Sequence, residues 1–463
     1  MRRGIAYGAM ALVCVMADRP PANSQETDTV ELPGVVVTAD DEVAEPKRRA
    51  KRQSMATATV AARRRPEPAQ SVPIGLTVDN GQSLDDRRIV DLETFSREAA
   101  NTSFTGFGDP RQTFFSIRGV GPVTFPAGHD DTSVVTYVDG VPQPFFGSDL
   151  RLLDVGQAEI LRGPQGTLFG RNAQAGAINI TTRQPTSTFE ADAATEFGSK
   201  GYYRTEAMMS GPFNPFLAGR IAAEFSGMDG TISNIATGSD TGEADTAAMR
   251  ASLVAKASDQ TKIALSVFGQ KDESNPAYNV VRDAPGYPIV SLDPENDAER
   301  RILGSGLTIT HTMSDMVFTS VTGLNYLDYD LFTNNVEGVA FSRLFGLPIG
   351  FFQPNAGTDI SDWHEKEFAF NQELRLSSKP GSEIGWVSGI AFNYSDYSLD
   401  YTDFSSFWPV QNGYRDNTYE TTSISAFGEV TAPVARNLEA TVGLRYTIYM
   451  DKAASHLAQT TQI

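Results

Sequence analysis

Strict alternation of apolar and polar residues over a dozen positions is the feature that most limits what this chain can fold into. From Leu438 to Met450 one face reads Leu438, Ala440, Val442, Leu444, Tyr446, Ile448 and Met450. The other reads Glu439, Thr441, Gly443, Arg445, Thr447 and Tyr449. In a strand every second side chain shares a side, so this segment belongs to a sheet with apolar surroundings on one face and polar ones on the other. Ile263, Leu265 and Val267 alternate in the same way with Ala264, Ser266 and Gln270. Phe368, Phe370, Leu374 and Leu376 stand against Asn371, Glu373 and Arg375.

About eleven such segments follow one another, beginning near residues 187, 201, 216, 245, 261, 305, 316, 364, 384, 418 and 437. Their connections alternate between short and long. Ser314-Asp315 is a tight turn, whereas 272–304 and 331–363 are long and polar. A soluble β-sandwich or solenoid also alternates, but long wet loops and aromatic strand ends favour a transmembrane barrel. The mean hydropathy of −0.26, with 40% hydrophobic and 21% charged residues, suits either, because lipid-facing and lumen-facing residues average out in a barrel. No run of ~18 apolar residues occurs beyond the N-terminus, so helical spans are not expected. The net charge is −19, and its distribution is uneven. Residues 1–70 carry 11 Lys/Arg against 9 Asp/Glu, and the remainder 27 against 48. An acidic body argues against nucleic acid as a partner.

The N-terminus reads as an export signal over residues 1–24. Arg2 and Arg3 precede an apolar run from Ile5 to Met16, and small residues follow, with cleavage after Ala17 or after Ser24. The single cysteine, Cys14, offers a lipoprotein anchor as the rival reading, but Val13 is a poor residue to precede one. Residues 25–69 form a charged, Pro- and Ala-rich tether, and its basic runs Lys47–Arg52 and Arg63–Arg65 read as solvated linker. From 70 to 185 the texture is that of a small α+β domain. Ser83–Arg97 is its best helix candidate, and Val134–Val138 and Ala177–Thr182 are its clearest strands.

Residues 70–185 closely resemble the plug domain of TonB-dependent outer-membrane receptors. The resemblance runs in order through Ser71-Val72-Pro73-Ile74, Ile117-Arg118-Gly119, Tyr137-Val138-Asp139-Gly140-Val141-Pro142, and the stretch from Glu159-Ile160-Leu161-Arg162-Gly163-Pro164 to Gly170-Arg171-Asn172. It continues through Ala175-Gly176-Ala177-Ile178-Asn179-Ile180. Weaker family-like blocks lie at Asn371–Ser378 and Ser425–Thr431. The resemblance implies a mainly β fold, with a small α+β plug inside a transmembrane antiparallel β-barrel. Residues 186–463 then hold the N-terminal part of that barrel, about half the family's strands, which suggests a fragment or a truncated, non-functional receptor.

The resemblance also implies function: TonB-dependent import of a scarce ligand, a ferric siderophore first of all, with cobalamin, a saccharide or an aromatic compound as alternatives. The expected partners are TonB with its inner-membrane energising complex, the ligand, and outer-membrane lipid. Val35-Val36-Val37-Thr38-Ala39 looks like the TonB box, and Thr59-Val60-Ala61-Ala62 is a second candidate nearer the plug. A short β-prone segment in a tether can add a strand to a partner's sheet edge. Arg118 and Arg162 on the plug are expected to meet Glu373 and Glu429 on lumenal strand faces, because an unpaired buried charge is costly. Gly119, Gly121 and His129 are expected at the ligand-facing plug apex.

Other classes are less well supported. His364-Glu365 opens like a zinc-protease helix, but Phe368 stands where the second histidine belongs. The sequence contains no Gly-x-Ser-x-Gly elbow, Walker loop or clustered Cys/His set, so no enzyme, cofactor or metal is expected. A passive porin does not need a plug of this kind. A signalling transducer would need a folded domain ahead of the box, and 25–70 is too short and charged for one.

Overall fold

The computed structural model describes residues 59–60, 64, 67–69, 72–106, 113–121, 133–144, 147–352, 359–405, 412–436 and 438–459. The expected signal segment, Val35–Ala39 and His129 lie outside them. Among the described residues no helix is long and apolar enough to cross a membrane, which says nothing of a β-barrel.

Thr59–Val60 (β1) and Glu67–Pro68 (β2) pair antiparallel ahead of the first domain. That domain then runs through Gly75–Asn80 (β3), Gly81–Asp86 (α1), Leu92–Glu98 (α2), Thr102–Gly106 (β4) and Thr113–Ile117 (β5). It continues with Val134–Val138 (β6), Val141–Pro142 (β7), Val155–Arg162 (β8), Gly166–Phe169 (α3) and Gly176–Thr182 (β9). Its five-stranded sheet has the order β3-β8-β9-β6-β7, with β6 and β9 parallel. β4 and β5 form a separate antiparallel pair.

The helix expected over Ser83–Arg97 is two short helices. The first is capped by Asn80, whose side chain accepts from Ser83 N at 2.8 Å. The chain then enters the left-handed region at Arg88 (φ 54°), which ends it. Asp91 restarts the second with a capping box to Thr94. The break lets Leu84, Ile89, Leu92 and Phe95 all reach one core with Ala158, Ile160, Ile178 and Ile180.

The wall is one antiparallel sheet. Its strands, with short loop strands between them, are Glu190–Phe197 (β10), Tyr203–Asn214 (β11), Leu217–Met228 (β12), Ile232–Asn234 (β13), Asp240–Thr241 (β14), Ala244–Lys256 (β15) and Thr261–Ser274 (β16). They continue with Ile289–Val290 (β17), Asp297–Thr312 (β18), Met316–Asn334 (β19), Ile360–Ser378 (β20), Gly385–Phe404 (β21), Gly413–Ala435 (β22) and Leu438–Gln459 (β23). Eleven of these strands pair in chain order from β10 to β23, while β14-β13-β17 forms a small separate sheet in the loops. The eleven segments read from alternation correspond one to one with the wall strands. The largest difference is β18, which begins at Asp297 rather than near 305, because Arg300 on its inner face bonds Asp272 of β16 and extends the strand past the apolar band.

The alternation is visible in burial. On β19, Val321, Leu327, Tyr329 and Leu331 are buried, while Leu324 and Tyr326 between them are exposed. The buried face meets the plug. Phe268, Ile302, Leu327, Tyr397 and Leu399 of the wall join the plug's own core cluster. The opposite face is an apolar surface that includes Ile221, Phe225, Leu253, Leu265, Leu303, Phe368, Ile390, Val442 and Leu444.

Gly176 shows how closely the plug backbone packs. A Cβ there would lie 2.2 Å from the Leu161 carbonyl and 2.6 Å from Ile117 Cδ1. Gly176→Ala is therefore expected to destabilise the plug by about 1–3 kcal/mol. Gly166→Ala, with nothing within 4 Å of the new Cβ, should be neutral or mildly stabilising. Thermal unfolding followed by near-UV circular dichroism checks the pair.

Candidate functional site

The plug–wall interface is where the charged side chains converge. At its centre Tyr137 of β6 and Phe169 of α3 meet edge to face, with ring centroids 5.1 Å apart. The Tyr137 hydroxyl donates to the Phe169 carbonyl at 2.8 Å. Burial raises the Tyr137 pKa above its ordinary value against the opposing pull of Arg64. The guanidinium of Arg64 lies 4.3 Å from the Tyr137 centroid and 4.5 Å from that of Phe169. Its Nε donates to the Leu168 carbonyl at 3.3 Å, and its Nη2 stands 3.9 Å from Glu373 on the wall. Arg375 donates to the same carboxylate at 2.6 Å. One cation from ahead of the plug is thus held by two plug rings and faces a wall carboxylate. Desolvated cation–π contacts contribute on the order of 2 kcal/mol.

Turn chemistry puts the two rings there. Asp139 (φ 49°) and Gly140 (φ 86°) turn the chain after β6. The Asp139 carboxylate accepts from the backbone and hydroxyl of Thr182, at 2.9 and 2.7 Å, which locks β6 to β9. Gly170 (φ +84°) ends α3 beside Arg445, whose Nη2 would be 3.2 Å from a Cβ.

A second group of contacts lies in plug residues 149–154. Arg151 Nε donates to Glu224 of β12 at 2.7 Å, its Nη1 reaches Asp91 at 3.3 Å, and its backbone N–H donates to Gln270 at 2.9 Å. Arg220 of β12 grips Asp154 with two bonds, at 2.5 and 2.6 Å. Arg300 of β18 donates to the Asp149 carbonyl at 2.8 Å. Three residues of one short segment therefore bind three wall strands. Burial, with Asp91 and Asp272 nearby, raises the Asp149 carboxyl to about 7 although Arg300 and Arg151 oppose the shift.

The residues expected at this interface are distributed differently. Glu373 faces the lumen and lies in the cluster, but its partners are Arg64 and Arg375. Arg162 donates to the Thr77 hydroxyl at 2.5 Å and to the Ala100 carbonyl at 3.3 Å, both within the plug. Arg118 sits at a left-handed turn (φ 55°) that turns it back toward Gly75 and Arg162. Burial, and then Arg118 beside it, lowers the pKa of Arg162. Among the described residues neither arginine pairs with Glu373 or Glu429. Glu429 lies on the inner face of β22, beside Gly443 of β23. Gly119 lies in the tight Ile117–Val120 turn and Gly121 directly follows it, whereas His129 and Val35–Ala39 lie outside the described residues. In the second box candidate, Thr59–Val60 is already paired with Glu67–Pro68.

Arg64 itself was read as solvated linker, which the structure corrects: it is 6% exposed. Nothing in a run of three arginines singles out the middle one. Only its short separation from Val72-Pro73, where the plug begins, distinguishes the run from the one at 47–52.

Asp149 gives the interface a pH dependence. Its folded pKa is raised above the unfolded value, so the folded state holds more protons between about 4 and 7, and stability falls as pH rises through that window. Asp149 is only partly buried, so solvent screening trims the effect to roughly 1–2 kcal/mol. The chain should melt lower at pH 8 than at pH 5, and Asp149→Asn should flatten that difference. Melting curves across pH, wild type against variant, check it.

Comparison with known proteins follows the same division. Residues 68–177 match the TonB-dependent Receptor Plug Domain, and residues 248–462 match the TonB dependent receptor-like beta-barrel. The chain is similar to the pesticin receptor of Yersinia pestis, with 34% identity over 168 residues, 36% of this chain and 24% of that protein. It is also similar to the catecholate siderophore receptor Fiu of Escherichia coli K12, with 37% identity over 75 residues, 16% of this chain and 10% of that one. Among solved structures, the ferric yersiniabactin uptake receptor FyuA from Yersinia pestis superposes with a TM-score of 0.72 at 23% identity. That match covers 83% of this chain and 58% of FyuA. The ferripyoverdine receptor of Pseudomonas aeruginosa gives a TM-score of 0.65 at 16% identity, covering 88% and 56%. The chain therefore spans well under two thirds of the length of the relatives it matches. With both domain families matched in order, and the plug-and-wall architecture shared with these receptors, the chain belongs to the TonB-dependent receptors.

Proposed function

We propose that this chain forms the plug and adjoining wall of an outer-membrane receptor that imports a ferric siderophore, with TonB pulling on the segment ahead of the plug. The observation that carries this reading is Arg64. It lies a few residues after Thr59–Val60, is buried between Tyr137 and Phe169, and faces Glu373 of the wall. A pull applied upstream therefore reaches the plug through a side chain that bears on both domains. The siderophore class rests on relatives named as ferric yersiniabactin, ferripyoverdine and catecholate siderophore receptors. Location in the outer membrane of a Gram-negative bacterium is supported by the family and by the wall's apolar outer face. Binding and mechanical release suffice for this work, and no catalytic step is assigned.

TonB would engage Val35–Ala39 or the Thr59–Val60 segment, and in the second case β1 must first leave β2. Ligand would meet the plug apex near Gly119, Gly121 and His129. The contacts of residues 149–154 would keep the plug's far side seated while the Arg64 side moves.

The test is uptake of radioactive iron by a Gram-negative host lacking its own siderophore receptors, supplied with yersiniabactin, pyoverdine and catecholate complexes. Uptake that needs TonB supports the proposal, whereas uptake in its absence, or no binding of any ferric siderophore, rejects it. Arg64→Ala should leave ligand binding within about twofold and cut uptake at least tenfold. It should also destabilise the plug by about 3–5 kcal/mol or less, since it leaves a wall carboxylate with one partner fewer.

A further inference from the structure

The outer face of the wall carries a side-chain cluster that plug, lumen and transport do not use. Asp328 and Asp330 lie two residues apart on β19, and His364 of β20 is the direct cross-strand partner of Asp330. All three share the face of exposed Leu324 and Tyr326, away from the plug, near the strand ends that lead into the 335–359 connection. Residues i and i+2 of one strand and the residue opposite are held on one surface by the ladder itself. One ligand atom from each of the three lies within 4.8 Å of the others.

The charges here are not balanced by the protein. Asp330 bonds His364. Tyr326 donates to Asp328 Oδ2 at 3.4 Å, but among the described residues the buried Asp328 Oδ1 has no hydrogen-bond partner. Lys366 is the cross-strand partner of Asp328, yet among the described residues it makes no ion pair with it. On the other side of His364 lies Asp400, another carboxylate. Two carboxylates this close repel one another unless a cation is shared between them, and the lysine best placed to supply one does not.

We infer that Asp328, Asp330 and His364 form a site for one divalent first-row transition-metal ion on the outer rim of the wall. One imidazole nitrogen with two carboxylate oxygens suits Zn²⁺ or Co²⁺ better than Ca²⁺ or Mg²⁺, which prefer oxygen ligands alone. Bonds of about 2.1 Å put ligand atoms about 3.4 Å apart in a tetrahedral site. The ligand atoms already lie within 4.8 Å of one another, and His364 and Asp330 are 36% and 50% exposed, so side-chain rotation can bring all three to that spacing. The remaining coordination positions face outward. The site lies on the opposite side of the wall from the plug, so it is separate from any iron the receptor carries.

The experiment is a Co²⁺ titration of the full chain in detergent micelles, followed by visible d–d absorption, with Zn²⁺ competition. One site with micromolar or tighter affinity is expected in the wild type. His364→Ala and Asp328→Asn should each weaken it at least tenfold, while His311→Ala, at the opposite end of the wall, leaves it unchanged. Melting curves in chelator confirm that the variants are folded, and Zn²⁺ should raise the melting temperature of the wild type alone. No saturable Co²⁺ band, or a band that both variants retain, overturns the site and leaves Asp330–His364 as a simple ion pair. Siderophore uptake is unaffected by either result, so this test and that of the transport function fail separately.

Discussion

Everything in this structure follows from a wall whose strands alternate. Such a sheet offers an apolar face outward and a largely polar face inward, so whatever fills it cannot be held by apolar burial alone. The plug accordingly carries its own core, built from Leu84, Leu92, Phe95, Ala158, Ile160, Ile178 and Ile180. The wall adds an apolar inner patch of Phe268, Ile302, Leu327, Tyr397 and Leu399, which seats the plug. Orientation is left to charged groups, because a buried arginine or carboxylate opposite the wrong neighbour costs several kcal/mol.

Those charged contacts are not spread evenly. Arg151, Asp154 and the Asp149 carbonyl bind Glu224, Arg220 and Arg300 within one short plug segment. The Asp154–Arg220 pair is two-pronged and almost wholly buried, at 4% and 2% side-chain exposure. Bidentate arginine–carboxylate geometry is both strong and directional. On the Arg64 side Glu373 stands 3.9 Å from Arg64, while Val387, Ala391 and Phe427 of the wall pack against Tyr137, Leu168 and Phe169 of the plug. Directional charged contacts are therefore concentrated on the 149–154 flank, and ring and apolar packing carries more of the Arg64 flank.

The wall was almost fully legible in the sequence, because period 2 over ten or more residues has one structural meaning. Leu438–Met450 showed its two faces outright, and Asp297–Ser305 was missed only because charged inner residues broke the apolar pattern. The site was less legible. Glu373 lies on the face opposite Leu374 and Leu376, whose alternation with it marks its register. Its partner was misjudged because charge alone cannot say which arginine reaches it. Arg118 has the right charge, but a left-handed backbone turns it toward Arg162. Arg64 looks like linker in one dimension, and only the aromatic receptacle in three dimensions makes it a core residue. The helix over Ser83–Arg97 failed for a local reason: Asp91 is a better start signal than a mid-helix residue.

The aromatic receptacle explains why the recognisable plug motifs need their residues. Asp139 and Gly140 fold β6 back onto Thr182, which sets the height of Tyr137. Gly176 lets β9 approach Leu161 closely, and Gly170 ends α3 just after Phe169 meets Tyr137. These turns have no chemistry of their own, and their product is a pair of ring faces that accept a cation. The cation is tied unequally. Arg64 has two rings and a hydrogen bond to Leu168 on the plug, but at 3.9 Å from Glu373 it has attraction without a hydrogen bond. Among the described residues its Nη2 has no hydrogen-bond partner. Under the proposed function, a pull on Arg64 would separate it from the wall before it separated it from the plug, and the plug would move with the arginine.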